Sequence, residues 1–238
     1  MTTENWMLLA RTAAEANNQQ EAYTYYTKVL ETDPTNFDAW FGKASAAGWL
    51  STLANLRLQE MLSILQMAIS VAPEDKREDA KILAADLINR VSVAVFQLAK
   101  KHILEYPSLE AWNTGYSQHC GQVLVALEAA HNYAPNDKQI MENIVAIASD
   151  FAQGLEWYDK FDTNLRTVIL VTPEIEETLK SSIEIYTAKI RNIDPAYQPP
   201  VIIKPTPPKY QIGSGGCSTM VISSVVILII MLIGFGLS

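Results

Sequence analysis

The sequence predicts an all-α body of antiparallel helical hairpins, followed by a Pro/Gly-rich tether and one C-terminal transmembrane helix. Three observations carry this. First, between Met1 and Ala196 long stretches rich in Ala, Leu, Glu, Lys and Gln are interrupted by short breaks at Asp33-Pro34, Ala72-Pro73, Tyr106-Pro107, Ala134-Pro135, Thr172-Pro173 and Asp194-Pro195. Proline cannot donate to the helical ladder, so each break ends a helix. Second, no stretch sustains an alternation of period two bounded by turn residues, so strands are not expected. Third, Met220 to Leu237 carry no charge and almost no polarity. At ~1.5 Å rise per residue that run just crosses a hydrocarbon core of ~30 Å. The expected division is a helical domain over 1–195, a linker over 196–217 and an anchor over 218–238.

Taken in order, the helices are expected near 4–17, 19–32, 36–49, 53–72, 76–105, 109–133, 137–158 and 174–192. The last starts with the clearest local signal. Thr172 is a good N-cap, Pro173 suits the first helical position, and Glu174 places an acid in the first turn. Residues 159–172 are ambiguous, because Val168-Ile169-Leu170-Val171 reads either as a buried loop or as a continuing helix.

The first two helices hold a recognisable pattern. Trp6, Leu9 and Ala10 lie on the first, Ala22 and Tyr26 on the second, and Pro34 follows. This spacing resembles the tetratricopeptide repeat (TPR), whose unit spans about 34 residues. Two positions depart from it: Ala13 stands where an aromatic is usual and Val29 where alanine is usual. Small Ala10 and Ala22 allow the two helices to approach closely, Leu9 and Tyr26 fill the space between them, and Pro34 starts the next turn. The clearest repeat is 3–36. A weaker one over 37–75 has Trp40 in register, Lys43 in place of leucine, and Met61, Leu65 and Ala68 reached through an insertion around Gly48–Asn55. Residues 76–195 read as divergent hairpins.

The TPR resemblance implies protein binding rather than chemistry. In that family the first helix of each repeat lines a concave groove, which by register places Met7, Arg11 and Glu15, then Phe41, Ser45 and Trp49, on it. Family members that clamp a terminal carboxylate use a lysine and asparagines at such positions. Met7 and Phe41 stand there instead, so the resemblance implies a peptide with apolar anchors, bound chiefly through Arg11, Phe41, Ser45 and Trp49. The alternative is that Phe41 and Trp49 pack beneath the following helix.

Composition narrows the classes further. A formal charge of −8 and a pI near 4.9 argue against nucleic acid, which demands a basic surface. Two cysteines, Cys120 and Cys217, are too few and too far apart for a disulfide scaffold or a metal framework, and Cys217 sits where acylation is conceivable. His102, His119 and His131 form no ligand spacing and read as helix-surface or half-buried residues, His119 as exposed. Glu174, Glu176 and Glu177 complement a helix dipole. No motif for a phosphate loop, a nucleophile elbow or a zinc site is present. The expectation is therefore no catalysis, no cofactor, no metal and no small-molecule substrate.

The linker holds Pro199, Pro200, Pro205, Pro207 and Pro208, then Gly213, Gly215 and Gly216, so it should be extended and then flexible, reaching roughly 60 Å. Lys204 and Lys209 precede the apolar run and nothing basic follows it, which places the body in the cytoplasm. The tail-anchored TPR-like adaptors of mitochondrial fission have a similar plan. Their tails end in basic residues, however, whereas this one ends Gly-Leu-Ser. The expected function is a membrane-tethered adaptor that binds a partner protein. The alternatives are a structural subunit whose tail packs against other spans, and an enzyme of unrecognised type.

Deleting 217–238 is expected to give a soluble protein whose far-UV circular dichroism per body residue is unchanged. Aggregation or lost helicity would make the tail part of the fold.

Overall fold

The computed structural model describes residues 2–158 and 166–206. The expected anchor over 218–238, with Cys217 and the linker beyond Thr206, lies outside them. Among the described residues eight α-helices run in sequence: α1 Thr3–Glu15, α2 Gln19–Thr32, α3 Phe37–Trp49, α4 Leu58–Val71, α5 Arg77–Glu105, α6 Ser117–Tyr133, α7 Lys138–Gln153 and α8 Pro173–Ile193. They pack as consecutive hairpins, α1 on α2, α3 on α4, α5 on α6 and α7 on α8, stacked side by side through α2–α3, α4–α5 and α6–α7.

The N-terminal hairpin closes on small residues. Ala10 and Ala22 are fully buried, and Trp6 stacks on Tyr25 across the seam with ring centroids 5.6 Å apart. Leu9 is only half-buried, so it does not fill the space between the helices as expected. Tyr26 is buried, but its ring reaches onward to α3. A Cβ added at Gly42 would lie 2.2 Å from that ring, so glycine at 42 is what lets Tyr26 seat there. The turn into α3 is made by side chains. Asp33 accepts from Thr35 and Asn36, Asn36 caps α3 by accepting from the Ala39 amide at 3.0 Å, and the Trp40 indole donates to the Pro34 carbonyl at 2.8 Å. These bonds hold the Asp33 carboxyl below the usual carboxylate range, the bond from Asn36 contributing most.

Lys43, standing where the repeat calls for leucine, is accommodated by aromatic faces. Its ammonium lies 5.0 Å from the Tyr23 ring centroid and 5.7 Å from that of Trp40. Arg57 covers the same Tyr23 ring and grips Glu60 with two bonds of 2.7 and 2.8 Å, while the Tyr23 hydroxyl donates to Glu60. A polar network thus replaces one apolar contact across α2, α3 and α4.

Several elements differ from expectation for local reasons. Helix α4 starts at Leu58 rather than 53, because the Arg57 amide donates to the Ser51 hydroxyl and Thr52 pairs with Asn55 in a tight turn. The segment expected as one helix over 109–133 opens with a π-helical turn, Ala111–Tyr116, before α6. The wider turn aims Trp112 and Tyr116 inward together, 5.2 Å apart, onto Phe151. Helix α7 stops at Gln153 instead of 158, because Gly154 has φ of +79° and a Cβ there would meet the Ile169 carbonyl at 2.4 Å. Contrary to the all-α reading, a short antiparallel pair follows, β1 Leu155–Tyr158 and β2 Arg166–Ile169, with Leu155 opposite Ile169 and Tyr158 opposite Arg166. The ambiguous run 168–171 is therefore the end of β2 and a buried Val171. Helix α8 starts as expected, with the Thr172 hydroxyl accepting from the Ile175 amide.

The segment Glu74–Glu105, which contains α5, is long and apolar enough to cross a membrane by length and composition. In the fold it is the central helix, with Ala84, Leu87, Ile88, Val91, Val95 and Ala99 buried in the main core.

Tyr26→Ala is expected to cost about 3 kcal/mol or more in chemical denaturation, the range for a buried large aromatic. Gly42→Ala should cost about 1–3 kcal/mol by overpacking that ring. In the double variant the Gly42→Ala penalty should vanish. Additive costs would mean that the ring does not occupy the space above Gly42.

Candidate partner-binding face

On α3, Asp38, Phe41, Ser45 and Trp49 follow one another at spacings of three, four and four, which puts them on one side of the helix. The rest of the helix circumference is occupied: Ala39, Ala44, Ala46, Ala47 and Gly48 are buried against neighbouring helices. On α1, Met7 and Arg11 are one turn apart. The Arg11 guanidinium reaches across to Asp38 at 2.8 Å, so the sides of α1 and α3 that carry these residues are adjacent. Both partners are more than half exposed, at 55% and 61%, so the pair orients side chains more than it stabilises the fold.

The four expected binding residues are arranged as follows. Arg11 is exposed and engaged with Asp38. Phe41 is half-buried, stacked on Phe37 with ring centroids 5.9 Å apart, and it packs against the edge of the main core. Ser45 is half-buried. Trp49, in the last position of α3, leaves 42% of its surface open. Met7 is half-buried against the N-terminal cluster, and Glu15 is exposed at the end of α1. Trp49 is therefore open, not packed under the next helix, whereas Phe41 has one side in each environment. The sequence reading missed Asp38 as the partner of Arg11. Its signal was present, one turn before Phe41 on the same side of α3.

A second polar cluster lies between α5, the π-turn and α7. Lys100 pairs with one oxygen of Asp150, and the Tyr116 hydroxyl donates to the other at 2.6 Å, beside a cavity of about 80 Å³ walled by Ile103, Trp112 and Leu155. The three groups satisfy one another. Burial pushes both the Tyr116 phenol and the Cys120 thiol far up, which leaves that thiol protonated and unreactive. Among the described residues no group of three or more His, Cys, Asp or Glu is placed to hold a metal ion.

The histidines are more enclosed than the sequence suggested. His119, expected on the surface, is half-buried, and its Nε2–H donates to the Leu53 carbonyl at 3.0 Å. Burial lowers its pKa, although that bond opposes the shift. His131 is buried at the end of α6, edge-on to Tyr186, and its Nε2 accepts from Lys189 of α8 at 2.8 Å. That leaves the ring proton on Nδ1, which has no partner. Burial first, and the Lys189 charge second, hold His131 below its ordinary value.

No protein-family profile matches the sequence, and no curated protein matches it. Among solved structures, one titled "Crystal structure of MamA protein" aligns over 84% of this chain and 97% of that chain, at 10% identity and a TM-score of 0.32. A superposition that loose carries no argument about what the face binds.

Both shifted histidines favour the neutral ring in the folded state, so the unfolded chain takes up protons first as pH falls. Stability is therefore expected to be full above about pH 6.5, the ordinary histidine value, and to decline as the solution is acidified below it. His131→Gln keeps an acceptor for Lys189 and should flatten that decline in urea melts between about pH 7 and 5. An unchanged slope would remove His131 as a source.

Proposed function

We propose that the chain is a membrane-tethered adaptor, built on a divergent TPR-like repeat, that binds a partner protein at the cytoplasmic side through the adjoining sides of α1 and α3. The observation that carries this reading is the juxtaposition itself. Arg11 spans to Asp38, and Phe41, Ser45 and Trp49 continue along the same side of α3 with an indole left open to solvent. Binding surfaces concentrate energy in aromatic and arginine side chains of this kind. A partner with apolar anchors suits Phe41 and Trp49, and the TPR-like spacing of Trp6, Ala10, Ala22, Tyr26 and Pro34 supports a repeat that presents its first helices outward.

The tether rests on sequence: the uncharged run Met220–Leu237, preceded by Lys204 and Lys209. Anchoring raises the local concentration of whatever the face binds, so a weak contact suffices at the membrane. The reading needs no catalytic step and no cofactor.

Arg11→Glu combined with Phe41→Ala is expected to weaken partner capture from detergent extracts by roughly tenfold or more, with the thermal midpoint nearly unchanged. Trp49→Ala should do the same alone. A loss of capture that merely follows a fall in stability would move Phe41 into the core and leave the partner site unassigned.

A further inference from the structure

After α8 the chain turns back along the helix it has just left. At the C-terminal end of α8, Arg191 Nε donates to the Tyr197 carbonyl at 3.1 Å, and its Nη2 reaches the Gln198 side chain at 3.4 Å. At the other end, Lys204 pairs with Glu176, and Arg166 Nη1 donates to the Thr206 carbonyl at 2.8 Å. Helix α8 has 21 residues and so rises about 31 Å. About ten residues of polyproline-like chain, at about 3.1 Å each, cover the same length. Pro199, Pro200 and Pro205 favour that extended form and remove amides that would have no sheet neighbour.

The hold is thin. Tyr197 and Ile202 rest half-buried on the core, while Val201 and Ile203 are 81% and 73% exposed. The remaining grip is the Arg191 and Arg166 hydrogen bonds and one ion pair. Glu176 sits between Lys180, at 2.5 Å, and Lys204. These two lysines, Lys180 foremost, hold its carboxyl down to about 2, so it stays charged at any ordinary pH. Glu176 and Lys204 are partly buried, with side-chain exposures of 22% and 31%, so reversing one of the two charges tests the pair more directly than salt does.

We propose that residues 197–206 are a detachable strap, clipped to the start of α8 by Glu176 and Lys204, that sets where the following chain leaves the body. Clipped, the chain departs beside β2 and the N-terminal end of α8. Released, it departs from the opposite end of α8, and the strap adds roughly 30 Å to the reach of the linker. Only that consequence for reach rests on the membrane-tethered reading; the clip does not.

The test uses the full chain in detergent micelles with Cys217→Ser, carrying spin labels at Ser181→Cys and Thr206→Cys, and buried Cys120 left unlabelled. Pulsed dipolar spectroscopy should give one narrow distance distribution. Lys204→Glu should broaden and lengthen it, and adding Glu176→Lys should restore it. A distribution that is broad from the outset, or unmoved by Lys204→Glu, overturns the strap. So does a double variant that stays broad. Membrane fractionation of the same chain tests the tether separately, since a protein released by an alkaline wash could still hold its strap.

Discussion

Helix α3 is enclosed by its neighbours through side chains no larger than alanine, and much of the N-terminal architecture follows from that. Ala39, Ala44, Ala46, Ala47 and Gly48 occupy the buried arc. A Cβ added at Gly48 would lie 2.6 Å from the Met61 sulfur and 3.2 Å from Val91, so side chains of α4 and α5 rest directly on the α3 backbone there. On the adjoining side, Gly42 admits Tyr26. A helix buried over so wide an arc has little room inside for large residues. Phe41 and Trp49 are therefore displaced to the side of α3 that also carries Asp38, the partner of Arg11. The candidate face and the close packing of α3 have a single cause.

The polar contacts divide into those that define geometry and those that decorate the surface. The Arg57–Glu60–Tyr23 network is partly enclosed and joins α2 to α4, so its bonds fix the crossing of two hairpins. Lys100, Asp150 and Tyr116 do the same for α5, α7 and the π-turn. By contrast, pairs such as Arg90 with Asp86 lie along one exposed helix and contribute a few tenths of a kcal/mol. The buried Ser92, Ser149 and Thr187 hydroxyls have no hydrogen-bond partner among the described residues, which is tolerable for a hydroxyl at about 1–3 kcal/mol in an otherwise apolar contact.

The elements with strong local signals were legible in the sequence. With the Thr172 cap and the proline breaks, six of the helix starts were expected within a residue or two of where they lie. What was not legible depends on partners distant in sequence. Gly154 ends α7 because of the Ile169 carbonyl, fifteen residues on, and Leu155-Glu156-Trp157-Tyr158 is too short for its alternation to register against helical neighbours. The π-turn exists to seat Trp112 and Tyr116 on Phe151, and no spacing within 109–133 announces it. For the candidate face, the register supplied Arg11, Phe41, Ser45 and Trp49, but the ion pair joining the two helices required the fold. The strap escaped notice because proline-rich chain reads as spacer, and its contacts with Arg191, Glu176 and Arg166 disclose where it lies.

The division of the core has a consequence for binding. Ala10, Ala13, Ala22, Tyr26, Val29 and Leu30 form a small cluster with Ala39 and Ala46, apart from the main core that runs from Ala44 to Ile190. Alanine burial contributes little area, so the α1–α2 hairpin depends on Tyr26, Val29 and Leu30 and on the half-buried Trp6, Tyr23 and Tyr25 for most of its hold. Elements with small apolar contacts open at lower free energy than the global fold. The candidate face straddles this division: Arg11 stands on the weaker hairpin, while Phe41 and Trp49 stand on a helix shared with the main core. A ligand touching both sides binds only the docked hairpin, so its binding free energy is added to the stability of that hairpin. The same linkage runs in reverse, since whatever loosens α1 from α3 removes Arg11 from the face and weakens the ligand's grip.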